Sequence, residues 1–151
     1  MHKPKGASIF LIDELENILL LLRDQNRKPC FNIPYPNMWD VIGGHVEEGE
    51  DPKDCILREM KEELQTWSFN GRNLPLWRII DFPDRIDYAF WDYLGSQSLN
   101  TLNKNLTEGQ RVCSFALGEV LNMELAYGWQ PYVVEFFEGR RRRRHIEDPT
   151  H

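Results

Sequence analysis

The stretch Gly44-His45-Val46-Glu47-Glu48-Gly49-Glu50, separated by seven residues from Arg58-Glu59-Met60-Lys61-Glu62-Glu63, joins a glycine turn to a helix that gathers carboxylates. Helical neighbours lie three and four residues apart, so Glu59, Glu62 and Glu63 share one face. Like charges on one face repel and weaken the helix, and a bound cation removes that repulsion. An all-oxygen ligand set suits a hard ion, Mg2+ or Mn2+, rather than zinc. Against this, glutamate is a good helix former, a charged stripe is ordinarily a solvated face, and Arg58 can pair with Glu62 at four-residue spacing. The glycines shift the balance. Gly43-Gly44 ahead of the acidic turn allows backbone conformations closed to other residues and leaves a bare carbonyl for a ligand or metal.

Taken together, Gly44, five residues, Glu50, seven residues and then Arg58-Glu59-Met60-Lys61-Glu62-Glu63 resembles the Nudix box. The resemblance spans Gly44 to Thr66 and holds at every charged position and at the aliphatic slot filled by Met60. It departs at the end, where Gln65 stands in place of glycine and Thr66 in place of an aliphatic residue. That pair bears on the helix exit rather than on the charged cluster. The resemblance implies an α+β fold, an α/β/α sandwich with a central mixed β-sheet. It also implies attack of water on phosphorus in a diphosphate linkage, with Mg2+ as cofactor and Mn2+ as substitute. The substrate would be a nucleoside triphosphate, oxidised dNTPs included, or a nucleoside diphosphate linked to another group.

Carried over by position, Glu62 and Glu63 are expected as metal ligands, with the Gly44 carbonyl completing the set and Glu59 a further ligand or the group that orients water. Arg58 is expected to orient these glutamates, and Glu50 and Gly43 to support the turn. Glu59 and Arg58 are thus the catalytic candidates inside the box. Outside it, Leu106-Thr107-Glu108-Gly109-Gln110 places an acid beside glycine just before a strand. Glu108 there is a candidate ligand or general base, or a plain loop residue. Trp39, immediately before the glycine turn, is the candidate for stacking on a substrate base, although aromatics at strand spacing usually belong to the core. His45 is read as a turn residue.

Length and composition agree with one domain. A chain of 151 residues with 41% hydrophobic and 12% aromatic residues suits a single globular core. No apolar run is long enough to span a bilayer, and no apolar signal core follows the first basic residues. The three cysteines, Cys30, Cys55 and Cys113, lack metal spacing, and reduced thiols in a cytoplasmic protein are the simplest account. Residues 1–139 carry 13 basic and 22 acidic residues, a balance of −9, before five arginines, Arg140 to Arg144. The division expected is a domain over 1–139 and a basic, flexible or helix-ending tail over 140–151. The run lacks interleaved aromatics, so neither nucleic acid nor membrane is expected as a partner. An acidic body would need cations of its own before it accepted a polyphosphate.

Along the chain, Ala7 to Ile12 and Ile18 to Arg23 read as strands joined by a turn, and Pro29 to Pro36 as a loop. Met38 to Ile42 reads as a strand that delivers the chain to the glycines. Asp51-Pro52 starts a helix that runs to about Gln65. Trp77 to Phe82 and Asp87 to Leu94 read as a hairpin, Val112 to Phe115 as a strand, and Leu117 to Met123 and Pro131 to Phe137 as helices. Two other readings stand beside the hydrolase, which is expected to act on small-molecule nucleotides and for which the resemblance implies that a homodimer can form. A module that senses a nucleotide without cleaving it would be expected to lose box carboxylates, and this chain keeps them. An isopentenyl-diphosphate isomerase would require a cysteine beside the glycine-histidine turn, where Gly43 stands.

Overall fold

Strand β1, Lys5–Ile12, is buried in all but its first residue. A strand apolar on both sides needs cover on both faces of its sheet, and the rest of the chain supplies it. The computed structural model describes residues 3–26, 32–65, 73–95 and 99–147, with side chains as far as Arg143. Pro29, Cys30 and Phe31 of the proline loop, Thr66, and the last four residues lie outside the described residues.

Among the described residues the mixed sheet has seven strands: β1; β2, Ile18–Leu22; β3, Trp39–Asp40; β4, Ile42–His45; β5, Leu76–Asp81; β6, Ile86–Tyr93; and β7, Arg111–Phe115. β6 runs parallel to β1 along its whole length, and β5 adds an antiparallel edge beyond it. The other side of β1 is divided. Its residues Gly6 to Ile9 pair with β4, whereas Ile12 pairs with Ile18 of β2. β2 and β4 therefore diverge from β1 like a fork, and β7 extends β2 outward. The single strand expected over Met38 to Ile42 is interrupted at Val41 for this reason. Asp40 pairs with Leu21 of β2, and Ile42 pairs with Ile9 of β1, so the chain changes partner in crossing the fork.

Side chains alternate across this sheet as strand geometry requires. Ala7, Ile9, Leu11, Leu19, Leu21 and Ile42 face helices α1, Pro52–Leu64, and α2, Leu99–Asn105, where Ile56, Met60, Leu64 and Leu102 meet them. Phe10, Ile12, Ile18, Leu20 and Val41 face α3, Leu117–Val120, and α4, Gln130–Glu147. The result is the expected α/β/α sandwich. No helix among the described residues is long and apolar enough to cross a membrane.

Three differences from the sequence expectations have local causes. α2 lacks an apolar stripe, and only Leu102 of its seven residues is buried. Asn103 holds it instead, accepting from the Val112 N–H at 2.7 Å and donating to the Val112 carbonyl at 3.2 Å. α3 ends at Val120, short of Met123. α4 continues well past Phe137, so residues 140–147 of the expected tail belong to a helix. Arg140 anchors that extension: its guanidinium pairs with Glu16 at 2.7 Å and lies 4.8 Å from the Trp91 ring.

Helix α1 is bounded by residues that fit their backbone unequally. Asp51 accepts from the Lys53 N–H at 2.9 Å as N-cap, and Pro52 occupies the first turn where its missing N–H costs nothing. At the other end Gln65, standing where the Nudix box has glycine, still adopts the left-handed conformation at φ 50° and ψ 40°. A side chain in that region costs about 1 kcal/mol. Gln65→Gly is therefore expected to stabilise the fold by up to about 1 kcal/mol in urea titration. Phe10, fully buried against Trp77, Trp129 and Phe136 at ring separations of 5.0 to 5.7 Å, is expected to behave oppositely. Phe10→Ala should cost about 3–5 kcal/mol in the same titration.

Candidate functional site

The turn from β4 into α1 is built around Arg58. Its Nε and Nη2 donate to the two oxygens of Glu50 at 2.8 and 3.0 Å, a fork-to-carboxylate pair. Nη1 donates to Glu59 at 3.0 Å and Glu62 at 3.3 Å, Nη2 donates to the His45 carbonyl at 3.2 Å, and Glu47 stands 3.7 Å away. Four acids and a backbone carbonyl thus share one cation. Glu50 also accepts from the Glu47 N–H at 3.0 Å, which closes the turn. These bonds, from Arg58 first and from the backbone second, hold the Glu50 carboxyl down to about 2.

The glycines answer to close approach. A Cβ on Gly44 would strike the carboxyl end of Glu59, so the bare backbone is what lets that side chain lie across the turn. A Cβ on Gly43 would strike the Ala7 carbonyl oxygen and lie 2.9 Å from the Ser8 Cα, both part of the strand paired with it. The difference matters because a glutamate tip can move and a strand cannot.

Glu63 is the buried member of the cluster, 5% exposed, and its Oε2 has no hydrogen-bond partner. Burial pushes its carboxyl up to about 9, with the neighbouring charges of Glu59, Glu108 and Asp40 acting in the same direction. Glu59 is also raised, chiefly by burial. Glu62, by contrast, is more than half exposed. Glu108 reaches this cluster because its loop docks on the end of α1: the Thr107 hydroxyl donates to the Glu62 carbonyl and the Thr107 N–H to the Glu63 carbonyl. Gly109 follows in a left-handed turn, φ 80°, packed against Leu21 where a side chain would clash.

This donor set fits a hard cation. All the candidate ligand atoms are oxygens, several carboxylates sit closer than their charges favour, and one buried oxygen lacks a donor. The side chains are not yet converged around one point: among the described residues no three His, Cys, Asp or Glu are grouped to hold an ion, and Glu59 and Glu62 are turned to Arg58. Trp39, the expected stacking residue, packs edge-on against Phe115 at 4.7 Å and is partly buried. His45 ends β4 with an exposed side chain. Cys55, which donates to the His45 carbonyl, is buried and its thiol is pushed up to about 12. It is a structural thiol and not the nucleophile an isomerase would need.

Several residues near the cluster have no part in the box. Asp40, 7% exposed, uses Oδ2 to meet Arg23 Nη1 at 3.3 Å, while its Oδ1 has no partner. Burial raises it to about 6, despite Arg23. Asp87 is likewise buried, with one oxygen 3.6 Å from Arg85 Nε and the other unpartnered. Arg85 lies 3.7 Å from the Phe82 ring and donates to the Tyr127 carbonyl at 3.0 Å. Tyr127 sits at φ 57°, a strained position for a tyrosine. The signal available in the sequence was an acid inside an apolar strand, Trp39-Asp40-Val41-Ile42, where a charge demands a partner.

The NUDIX domain family matches residues 2–135. An RNA pyrophosphohydrolase of Nitratiruptor sp. is 36% identical over 61 residues, covering 40% of this chain and 39% of that protein. A putative 8-oxo-dGTP diphosphatase of Bacillus subtilis is 25% identical over 95 residues, 63% of this chain and 57% of that one. The chain thus spans about two-fifths to three-fifths of the length of these curated relatives. Among solved structures, a MutT/nudix family protein from Listeria innocua superposes with a TM-score of 0.69 at 19% identity, covering 100% of this chain and 99% of that one.

Two stability outcomes follow from the turn. Gly43→Ala is expected to lower Tm markedly and Gly44→Ala only slightly, as thermal melts would show, because only the first pushes against backbone. The Glu50 carboxylate is favoured in the folded chain, so its contribution is complete above its ordinary value of 4.5 and is lost as pH falls through about 2. Glu50→Gln should therefore lower Tm at neutral pH, and the gap to wild type should narrow steadily in melts taken below pH 4.5.

Proposed function

The chain belongs to the NUDIX domain family, and on that premise we propose that it is a Mg2+-dependent pyrophosphohydrolase cleaving a diphosphate linkage in a nucleotide. The observation that carries this reading is the buried, unpartnered oxygen of Glu63 inside a cluster of carboxylates supported by one arginine. Glu63, Glu62, Glu59 and the Gly44 carbonyl would hold the ion, which supplies charge neutralisation at the diphosphate. Arg58 would keep Glu59 and Glu62 aligned, itself fixed by Glu50. Gly43 supports the same turn by close strand packing. Glu59 and Glu108 flank Glu63 and would orient the attacking water and accept its proton. Mn2+ would serve in place of Mg2+, since both favour oxygen ligands.

The substrate proposed is a nucleoside triphosphate, an oxidised form included, a triphosphate-ended nucleotide chain, or a nucleoside diphosphate linked to a second group. The names of the relatives, RNA pyrophosphohydrolase and putative 8-oxo-dGTP diphosphatase, lie within that range. The reaction would take place in the cytoplasm, in keeping with a reduced, buried Cys55.

The test is product analysis by anion-exchange chromatography after incubation with Mg2+ and a panel of canonical and oxidised dNTPs, ADP-ribose, NDP-sugars and 5′-triphosphorylated RNA. Release of a monophosphate product is expected. Glu62→Gln and Glu63→Gln should each lower kcat/KM by about a hundredfold or more while the fold persists. Full activity in a folded Glu63→Gln protein would remove the assignment.

A further inference from the structure

Glu108 stands on a loop of five residues, Leu106 to Gln110, that connects α2 to β7. Its neighbours on both sides are fastened. Leu106 packs, partly buried, against the core beneath α1. Thr107 uses both backbone and side chain on α1: its N–H donates to the Glu63 carbonyl at 3.3 Å and its hydroxyl to the Glu62 carbonyl. Those carbonyls lie in the last turn of a helix, where no N–H of the helix itself reaches them. On the other side, the Gly109 N–H donates to Asp24 Oδ2 at 3.3 Å, and the glycine is seated on Leu21.

Gln110 ties the far end of the loop. Its N–H donates to the Leu22 carbonyl at 2.8 Å, and its Nε2 donates to the Arg23 carbonyl at 2.8 Å and to Asn37 Oδ1 at 2.9 Å. Its Oε1 accepts from Gln25 at 3.3 Å. One exposed amide thus joins the loop to residues 73 to 87 positions away. Between these anchors Glu108 is exposed, and among the described residues it has no hydrogen-bond or ion-pair partner. Its charge adds to the field at Glu63, beside the buried member of the cluster. Proton transfer from water needs a carboxylate whose lone pairs are free and whose position is fixed within hydrogen-bond reach. Solvent access leaves the first condition open, and the anchors supply the second.

We propose that Thr107 and Gln110 are positioning residues for Glu108, fixing its carboxylate beside Glu63 from the α1 side and from the β2 side. This rests on the hydrolase reading given above, in which Glu108 meets the attacking water. Both residues act through the loop, without contact with substrate or the reacting atoms. A displacement of about 1 Å in such a group is enough to lower a rate severalfold or more, so the anchors bear on turnover more than on substrate binding.

The test combines two isosteric variants with a double-mutant cycle. Thr107→Val removes the hydroxyl and Gln110→Met the amide, each at nearly constant volume, whereas Thr107→Ser keeps the hydroxyl. The substrate is the member of the nucleotide panel above that wild type turns over fastest, and rates are referred to the folded fraction from urea titration. Thr107→Val and Gln110→Met are each expected to lower kcat about tenfold and to leave KM within about twofold. Thr107→Ser should restore most of the rate. In a Glu108→Gln background neither substitution should lower kcat further, because the group they position is gone. Amide hydrogen exchange in EDTA gives a readout apart from turnover: Gln110→Met should speed exchange at Gly109 and Gln110 by about tenfold while α1 keeps its protection. Equal losses with and without Glu108→Gln would overturn the proposal, as would a rise in KM alone, full kcat in both isosteric variants, or unchanged exchange in the loop. Full kcat in Glu108→Gln, with activity lost in Glu63→Gln, would overturn it and leave the hydrolase reading standing. A wild type inert toward every nucleotide in the panel would overturn both.

Discussion

Everything at this end of the molecule depends on one guanidinium holding several carboxylates. Arg58 joins Glu50 on the turn to Glu59 and Glu62 on the helix, and reaches the backbone at His45. Lysine could not replace it, because a point charge with three rotating donors cannot span two directions in one plane. The pairing also orients α1 over the sheet. With Arg58 fixed on the outer side, Ile56, Met60 and Leu64 fall on the inner side and are buried. Glu63 is then carried inward with them, into surroundings that disfavour its charge. Local repulsion is thereby held by packing energy from the core, and a cation would relieve it.

The second constraint is the fork in the sheet. β1 cannot pair with β2 and β4 along the same length, so the segment from Trp39 to His45 must cross between them. That crossing presents two kinds of backbone within a few residues. Gly43 and Gly44 lie flat against β1 and the Glu59 carboxyl, and Asp40 faces Arg23. The glycine turn and Asp40 stand on opposite sides of Val41, so one short stretch carries both the backbone next to the carboxylate cluster and the ion pair with Arg23. The loop carrying Glu108 closes the arrangement by bonding to the last turn of α1.

Much of this was legible in the chain. The Asp51-Pro52 start of α1, the hairpin of β5 and β6, and the buried strands β1 and β2 follow from caps, turns and runs of apolar residues that act over a few positions. The box residues were legible for the same reason: spacing of three, four and seven is local geometry on a helix. Gln65 shows the limit of such reading. The missing glycine suggests an altered exit, yet Gln65 takes the left-handed conformation that a glycine there would adopt. The arginine run shows another limit. Its charge left a flexible and a helix-ending segment both open, and only the meeting of Arg140 with Glu16 and Trp91 across the molecule shows the helix running on to Glu147.

The sequence by itself therefore determined the family, the layered fold and the carboxylate face, all of which depend on interactions between near neighbours in the chain. The tertiary structure alone decided which carboxylate is buried without a donor, where Glu108 arrives, and that Asp40 meets Arg23 beside Tyr127. Those facts depend on segments far apart in sequence, such as Thr107 and Glu62, 45 residues distant. No periodicity records such a meeting, because it is fixed by how two faces of a sheet are covered and by where its strands part.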